Sequence, residues 1–490
     1  MSTSKPLNTL VPELLSYIQV MYQNQVIYSR KLMDIYQGNL LKYVEESLAL
    51  ELNPRALARS KGRIPPINVL NKVIGKLSKV YIEPAIRDAG DNSIDQELLA
   101  YYEDKLDVNN QLATANELLN LHKYFAIEPY INNGVPSMRV LPADKFLVWS
   151  DNSFDPTAMT VFIKFMGSIT KVVPTTDKNG VVIKNAENVV REVALYHVYS
   201  DESFMIMDAD GVVSEYRDNP YGKIPFVYCS SSSFELIPTP DADNLAMAVL
   251  IPKLLTDINY ATQFQSHSIV YGIDIETSNL DNNPDAFWVI NSVEGEGKKP
   301  MIGTIKPEVD IDKVITLIST EMSMWLDSKG IKVGSIGQAN VDNAASGIAK
   351  LIDEGDASSI GRKQVNLFRK YESDLWNLIV RMHGYWASSQ QLVDVKQDFS
   401  LGFKPAVTFA ENKIVVDTKT TLEELKIMFD LGLITPKQAL FKLNPDFTDD
   451  QIEQLLAEIK VVKDEVKSIE FSQVEDLANK GEEPNSAIGE

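Results

Sequence analysis

"GSIGQANVDNAASGIAKLIDEGDAS", residues 334–358, lies between two stretches whose apolar residues repeat at helical spacing. Its first half is dominated by Gly, Ser, Ala, Asn and Gln, which leave the backbone free and offer no apolar face to pack. It reads as a loop. The stretch after it, to about Ser388, reads as a long helix, because Val365, Phe368, Leu375, Ile379, Met382 and Trp386 hold the helical period. Gly355 and Gly361 mark an expected bend in that helix.

Upstream of the loop a helix is predicted from about Asp310 to Ser328, striped by Ile311, Val314, Ile315, Ile318, Met322 and Trp325. An insert of mixed texture precedes it, from Tyr271 to Pro307, with AFWVINSV its clearest strand and GEGKKP turn-rich. Another helix opens near Asp241, with Met247, Leu250, Ile251, Leu254, Leu255 and Ile258 on one stripe. Pro252 falls inside it and predicts a kink or a restart.

From Tyr124 to Ser233 the texture is β: MRVLP, FLVWS, MTVFIKF, EVALYHVY and SFMIMD are separated by the turn clusters NNG, DNS, DKNG and DADG. NPYGKIPFVYC, Asn219 to Cys229, adds a Pro-Gly turn and an extended run opened by Pro225. Residues 8–50 read as helix, with Leu14, Ile18, Met21, Tyr22, Leu32, Ile35 and Tyr36 apolar, broken at Gly38 and Asn39. From Arg55 to Val80 there are seven basic residues and no acidic one. That run reads either as a contact for nucleic acid or an acidic partner, or as the solvated face of a helix whose buried side carries Val69, Val73, Leu77 and Val80. The second reading is the simpler.

After FKPAVTF, a β segment, three short helices are expected, with Thr435-Pro436 as N-cap and first-turn proline, and Thr448 with Gln451 as a capping box. Their shape invites comparison with a DNA-reading helix-turn-helix. Residues 421–467, however, carry ten acidic and six basic side chains, the wrong sign for phosphate contact, so a plain helical cap is expected. The tail, residues 468–490, is polar and acidic and is expected to be disordered.

At 490 residues the chain is long enough for two or three domains. Cys229 is the only cysteine, so neither an intrachain disulfide nor a cysteine metal cluster can form. No apolar run reaches the roughly 20 residues of a membrane span, and MSTSKPLNTL lacks the features of a secretory signal. A reducing cytoplasm is therefore expected as the site of synthesis. Net charge is −21, which argues against a tight nucleic-acid clamp. The motifs GxxxxGK[ST], HExxH, GxSxG and GxGxxG are missing. The four histidines, His122, His197, His267 and His383, have no helical i,i+4 pairing and read as packed or surface residues. Asp353, Glu354 and Asp356 could hold a divalent cation, but acidic turns on solvated helices are far commoner. No cofactor and no catalytic residue are expected.

The order of these parts resembles the portal proteins of tailed bacteriophages. MDIYQGNLLKY (Met33 to Tyr43) is similar to the family's "YY-x-G" segment, and INVLNKVIGKLSKVYIEP (Ile67 to Pro84) to its next helix. NPYGKIPFVY resembles the family's "N-P-x-G-x-I-P" turn, ASGIAKLI the start of its long helix, and DLGLITPKQAL an element near its C-terminus. Lys437 and Gln438 depart from that last element, where the family often carries an acidic residue.

The resemblance implies an α+β portal fold. Residues 1–240 would be a β-rich wing, 241–270 and 310–330 the two stem helices, and 271–309 a small α/β clip between them. Residues 331–345 would form a tunnel loop, 346–420 a long bent wing helix and a returning strand, and 421–467 a helical crown. It implies a homododecameric ring, a virion channel assembled in the bacterial cytoplasm, through which double-stranded DNA passes without being read. Expected partners are the terminase large subunit, the major capsid protein and scaffold, and head-completion or adaptor proteins; no membrane is involved. Channel contacts would come from Lys329, Lys332, Gln338, Asn340, Asp342 and Asn343, though both lysines read equally well as charges complementing a helix C-terminus. Subunit contacts would come from Leu254, Ile258, Ile315, Ile318 and Trp325, and clip docking from Trp288, Lys298 and Lys299. A ring multiplies the −21 of each chain, so its wall would repel DNA and let it slide. The alternatives are an adaptor-like head-neck protein or a metal-dependent nuclease.

Overall fold

The computed structural model describes residues 5–173, 189–266, 269–273, 301–305, 310–331, 347–392 and 397–409, together with 434–443 and single positions between 425 and 459. Helices and strands are largely segregated along the chain, and every strand pair among the described residues is antiparallel, so the class is α+β. Two units are distinguished: residues 1–343 with 353–412, and residues 344–352 with 413–490.

The first unit opens with α1 (Val11–Met21) and α2 (Ile27–Tyr36), joined through a π-helical turn at Tyr22–Val26. Gly38, at φ +104°, ends this helix as the sequence predicts, and α3 (Leu40–Ala49) follows. Next come α4 (Pro54–Lys61) and α5 (Val69–Leu77), so the basic run occupies two helices. Asn68 caps α5 by accepting from Asn71 N, while its Nδ2 donates to the Ile35 carbonyl at 2.7 Å. The two segments 33–43 and 67–84 are thus fastened to each other.

Strand β1 (Ile86–Asp88) leads to α6 (Ser93–Leu106) and α7 (Val108–His122). Strands β2 (Tyr124–Asn132) and β3 (Val135–Leu141) form a hairpin whose central residues Asn133 and Gly134 both have positive φ, the geometry of a two-residue I′ turn. A five-stranded meander follows: β4 (Phe146–Trp149), β5 (Val161–Val173), β6 (Val189–Tyr199), β7 (Ser203–Asp208) and β8 (Val213–Asp218). At its DADG turn the Asp208 carboxylate accepts from the backbone of Asp210 and Val212. Strand β9 (Val227–Ser230) pairs with β2, giving a separate three-stranded sheet ordered β3-β2-β9. Phe146, Phe162 and Phe226 stack in series where the β segments meet, with centroids 5.0 and 4.0 Å apart.

Helix α8 (Ala242–Ser266) runs through Pro252 rather than restarting there. After β10 (Ile269–Ile273), β11 (Met301–Ile305) and α9 (Ile311–Ser328) comes α10 (Gly347–Ser388). At 42 residues α10 spans roughly 60 Å and continues unbroken through Gly355 and Gly361. Its buried side, including Phe368, Leu375, Trp376, Ile379 and Trp386, forms one core with α6, α7, β2 and β9. Strand β12 (Ala406–Thr408) pairs with β1.

Polar contacts fix the register of α10. Glu372, with its side chain fully buried, receives Arg87 Nε at 2.6 Å, Arg87 Nη2 at 2.9 Å and the Tyr81 hydroxyl at 2.7 Å. Gln364 bridges Asn116 and Asn120 of α7. The NPYG turn is held at the other end: Asn219 Nδ2 donates to the Ser200 and Lys223 carbonyls, and Trp386 Nε1 donates to the Tyr221 hydroxyl at 3.2 Å.

In the second unit, α11 (Pro436–Leu443) begins as the sequence predicts, with Pro436 at its first position. Thr435 Oγ1 accepts from Gln438 N, and Gln438 Oε1 accepts from Thr435 N, a complete capping box. The box expected at Thr448 and Gln451, and the tail 468–490, lie outside the described residues.

Arg87→Leu would leave the Glu372 carboxylate buried without a cation, and a loss of about 3–5 kcal/mol is expected. Arg87→Leu combined with Glu372→Leu should recover most of it, which urea unfolding followed by tryptophan fluorescence would measure.

Candidate functional site

The residues expected at subunit contacts and at the clip fall on the pair α8 and α9 and on the insert between them. The root of the pair is buried: Ala248 and Ile251 of α8, with Trp325 and Leu326 of α9 and the following Ile331, share a core with α2, α3 and α5. Trp325, expected at a subunit contact, is only 4% exposed and belongs to that core. Ile318 is also buried, while Leu254 and Ile258 are half-buried. Nearer the insert Ile315 and Leu317 of α9 are exposed, and at the root Met324, beside the buried Trp325, is 68% exposed.

The hydroxyls of α9 turn inward on their own helix. Thr316, Thr320 and Ser323 each donate to the carbonyl four residues earlier, at 2.7–2.8 Å. Beyond the helices, β10 and β11 pair from Ile269↔Ile305 to Ile273↔Met301. The insert is therefore closed at its base by an antiparallel ladder. Trp288, Lys298, Lys299 and the AFWVINSV segment lie outside the described residues.

Three helix ends meet at a cluster of charges beneath this pair. Lys329, the C-cap of α9, reaches Asp241 at 2.7 Å and Asp243, in the first turn of α8, at 3.0 Å. Lys123, the C-cap of α7, reaches the other oxygen of Asp241 at 2.5 Å. Each charge also suits its helix dipole: cations at two C-termini and anions at an N-terminus. Burial would raise the Asp241 carboxyl, but the hydrogen bonds from Lys123 and Lys329 outweigh it and hold the group below the usual value. The Lys329 side chain is 12% exposed and fully engaged in this cluster, which favours the helix-end reading of that residue. Beside the cluster is a pocket of about 250 Å³ whose lining mixes Leu77, Leu119 and Leu367 with Asn120, Asn244 and Gln364 and the charged trio Lys123, Asp241 and Lys329. Asn244 Oδ1 is buried there without a partner among the described residues, and the space is large enough for water to serve it.

Lys332, Gln338, Asn340, Asp342 and Asn343 lie outside the described residues. Asp353, Glu354 and Asp356 stand on α10, with side chains outside the described set. His122 is wholly buried, neither ring nitrogen has a partner among the described residues, and burial pushes it down to about 3. His383 is hydrogen-bonded to the Tyr102 hydroxyl and the Gln397 carbonyl, and burial lowers it too. Both are packed residues. Among the described residues no group of three or more His, Cys, Asp or Glu side chains could hold a metal ion, and no helix is long and apolar enough to cross a membrane.

Lys123, Asp241 and Asp243 are members of this charge cluster that sequence reading missed. The acidic pair ahead of an apolar run is a legible helix start, but nothing local in the sequence brings Lys123 to it. No protein-family profile matches the chain, and no curated protein matches it.

Asp241 contributes stability that is complete above the ordinary aspartate pKa of about 3.9 and is lost as pH falls through its lower folded-state value. Lys329→Met should cost about 1 kcal/mol at neutral pH, given the partial exposure of the carboxylates. The difference from the parent should shrink below about pH 4, as chemical unfolding across a pH series would show.

Proposed function

We propose that this chain is the subunit of a ring-shaped channel of the bacteriophage portal type, through which double-stranded DNA enters a capsid and later leaves it. The observation that carries the reading is the order helix, ladder-closed insert, helix, Gly- and Asn-rich segment and 42-residue helix. In this reading α8 and α9 are the stem, residues 271–309 the clip, and the antiparallel β-rich body with α10 the wing. Residues 334–345 touch DNA in transit through weak contacts that break easily under the force of a packaging motor. The clip docks the terminase during packaging and the neck proteins afterwards, while the ring as a whole nucleates head assembly.

Support also comes from α9. An isolated pair of helices does not leave Ile315, Leu317 and Met324 in water without cost; burying each against a neighbouring subunit contributes about 1.5–3 kcal/mol. Because Trp325 serves the chain's own core, the exposed trio, rather than Trp325, is the part of α9 available to another subunit.

Light scattering and electron microscopy of the purified protein test the reading: a ring with a mass near twelve times 54.8 kDa is expected. A monomer at micromolar concentration would overturn it. Ile315→Asp with Leu317→Asp should raise the concentration needed for ring formation at least tenfold while leaving the unfolding midpoint of the chain within a degree or two of the parent. Removing Gln338 to Asn343 should spare the ring and lower the DNA retained per head, equally for any sequence.

A further inference from the structure

The basic run has no part in the channel described above, yet its arrangement is specific. Arg55 and Arg59 stand four residues apart on α4, Lys72 and Lys76 four apart on α5, and all four are exposed. Lys61 pairs with Glu45 at 2.7 Å, but among the described residues no carboxylate lies within 4.0 Å of those four cations. Exposed aliphatic residues stand in the segments leading into both helices: Leu50, at 89% exposure, before α4 and Ile67 before α5.

The next stretch of chain has the opposite sign. Residues 83–107 hold eight acidic and two basic side chains. Asp95 and Glu103 are committed within the fold, to Ser400 and to Arg87. Glu83, Asp91 and Glu97 are exposed, with no cation within 4.0 Å among the described residues. Here too aliphatic residues are exposed beside the charges: Ile82, Ile94 and, at 69%, Ile86.

The two strips belong to different cores. The basic one covers the cluster that holds the root of α8, and the acidic one covers the cluster built on α10. No ion pair joins them within the chain among the described residues. Each strip therefore presents unneutralised charge and exposed aliphatic surface, and each has its complement on another copy of the same molecule. We propose that the α4–α5 strip of one copy docks on the β1–α6 strip of a second, head to tail. Such a contact leaves one strip of each sign unfilled on every open chain of subunits, so only closure into a ring satisfies all of them. Opposite charges steer the approach and exclude the head-to-head arrangement, while the isoleucines and Leu50 supply the apolar contact. The proposal rests on the ring reading above and names the surfaces that hold the ring together. Nucleic acid is the other conceivable partner of the basic strip, but the aliphatic flanks and the −21 net charge favour protein.

The test uses two full-length variants, R55E/R59E/K72E/K76E and E83K/D91K/E97K, whose substituted side chains are all exposed. Both should keep the parent's unfolding midpoint, and each alone should need at least tenfold more protein to assemble. Mixed in equal amounts they should form rings again, because each now carries strips of one sign that complement the other variant's. Mass by light scattering, with subunit ratio by native mass spectrometry, reads the result. The milder R55Q/R59Q/K72Q/K76Q covers the case of a reversed variant that fails to fold, and should also weaken assembly tenfold. Rings formed by either variant as readily as by the parent would overturn this interface while leaving the ring itself intact. So would failure of the mixture to assemble. Unchanged assembly with weakened binding of a 30-base-pair DNA duplex would reassign the basic strip to nucleic acid. A parent protein that forms no ring would instead remove the reading on which the interface rests.

Discussion

Glu372 is a carboxylate taken wholly out of water, and the fold is organised around its need for a cation. An apolar stripe on a helix 42 residues long can be covered almost as well after sliding by a turn, so hydrophobic burial alone sets the register of α10 poorly. A buried carboxylate that must meet both Arg87 and Tyr81 cannot slide, because any other register strands the charge. Gln364 and Trp386 repeat that logic at either side of it, one bridging two asparagines of α7 and the other meeting Tyr221. The long helix serves as a ruler, and the β sheets and smaller helices are fastened at marks along it.

The charges beneath α8 and α9 obey the same physics with a different outcome. Asp241 remains partly open to solvent, so its two lysine contacts hold three helix ends together with far less at stake than Glu372. A joint made this way is firm at neutral pH and screened at high salt. It sets the root of the helix pair while the exposed stretch of α9 further out makes no comparable demand.

Much of the architecture was legible in the sequence because it follows from local chemistry. Gly38, Gly134 and Gly211 end or turn elements at positive φ, and the period-2 and period-3.6 patterns separate the β region from its helices. Asn68 and Asn219 each fasten a neighbouring segment through side-chain amide donors, to the Ile35 carbonyl and to the Ser200 carbonyl. The capping partner of Thr435 was missed, although Gln438 has the required spacing. Pro252 predicts a kink or a restart; the helix does not restart there, and packing of Ala248 and Ile251 accompanies its continuation. The role of Lys329 was legible only as two alternatives, since its partners Asp241 and Asp243 are far away in sequence. Trp325 could not be assigned from its stripe, because the period of apolar residues shows that a face is covered and not what covers it.

The hydroxyls of α9 carry a consequence of their own. A serine or threonine that needs water ties its surface to one solvent, since covering it with protein strips a hydrogen bond that must be replaced. Thr316, Thr320 and Ser323 have already bonded to their own helix. With their donors already spent, covering this face strips fewer hydrogen bonds than covering three free hydroxyls would, so only the oxygens' acceptor capacity is left for a covering surface to replace.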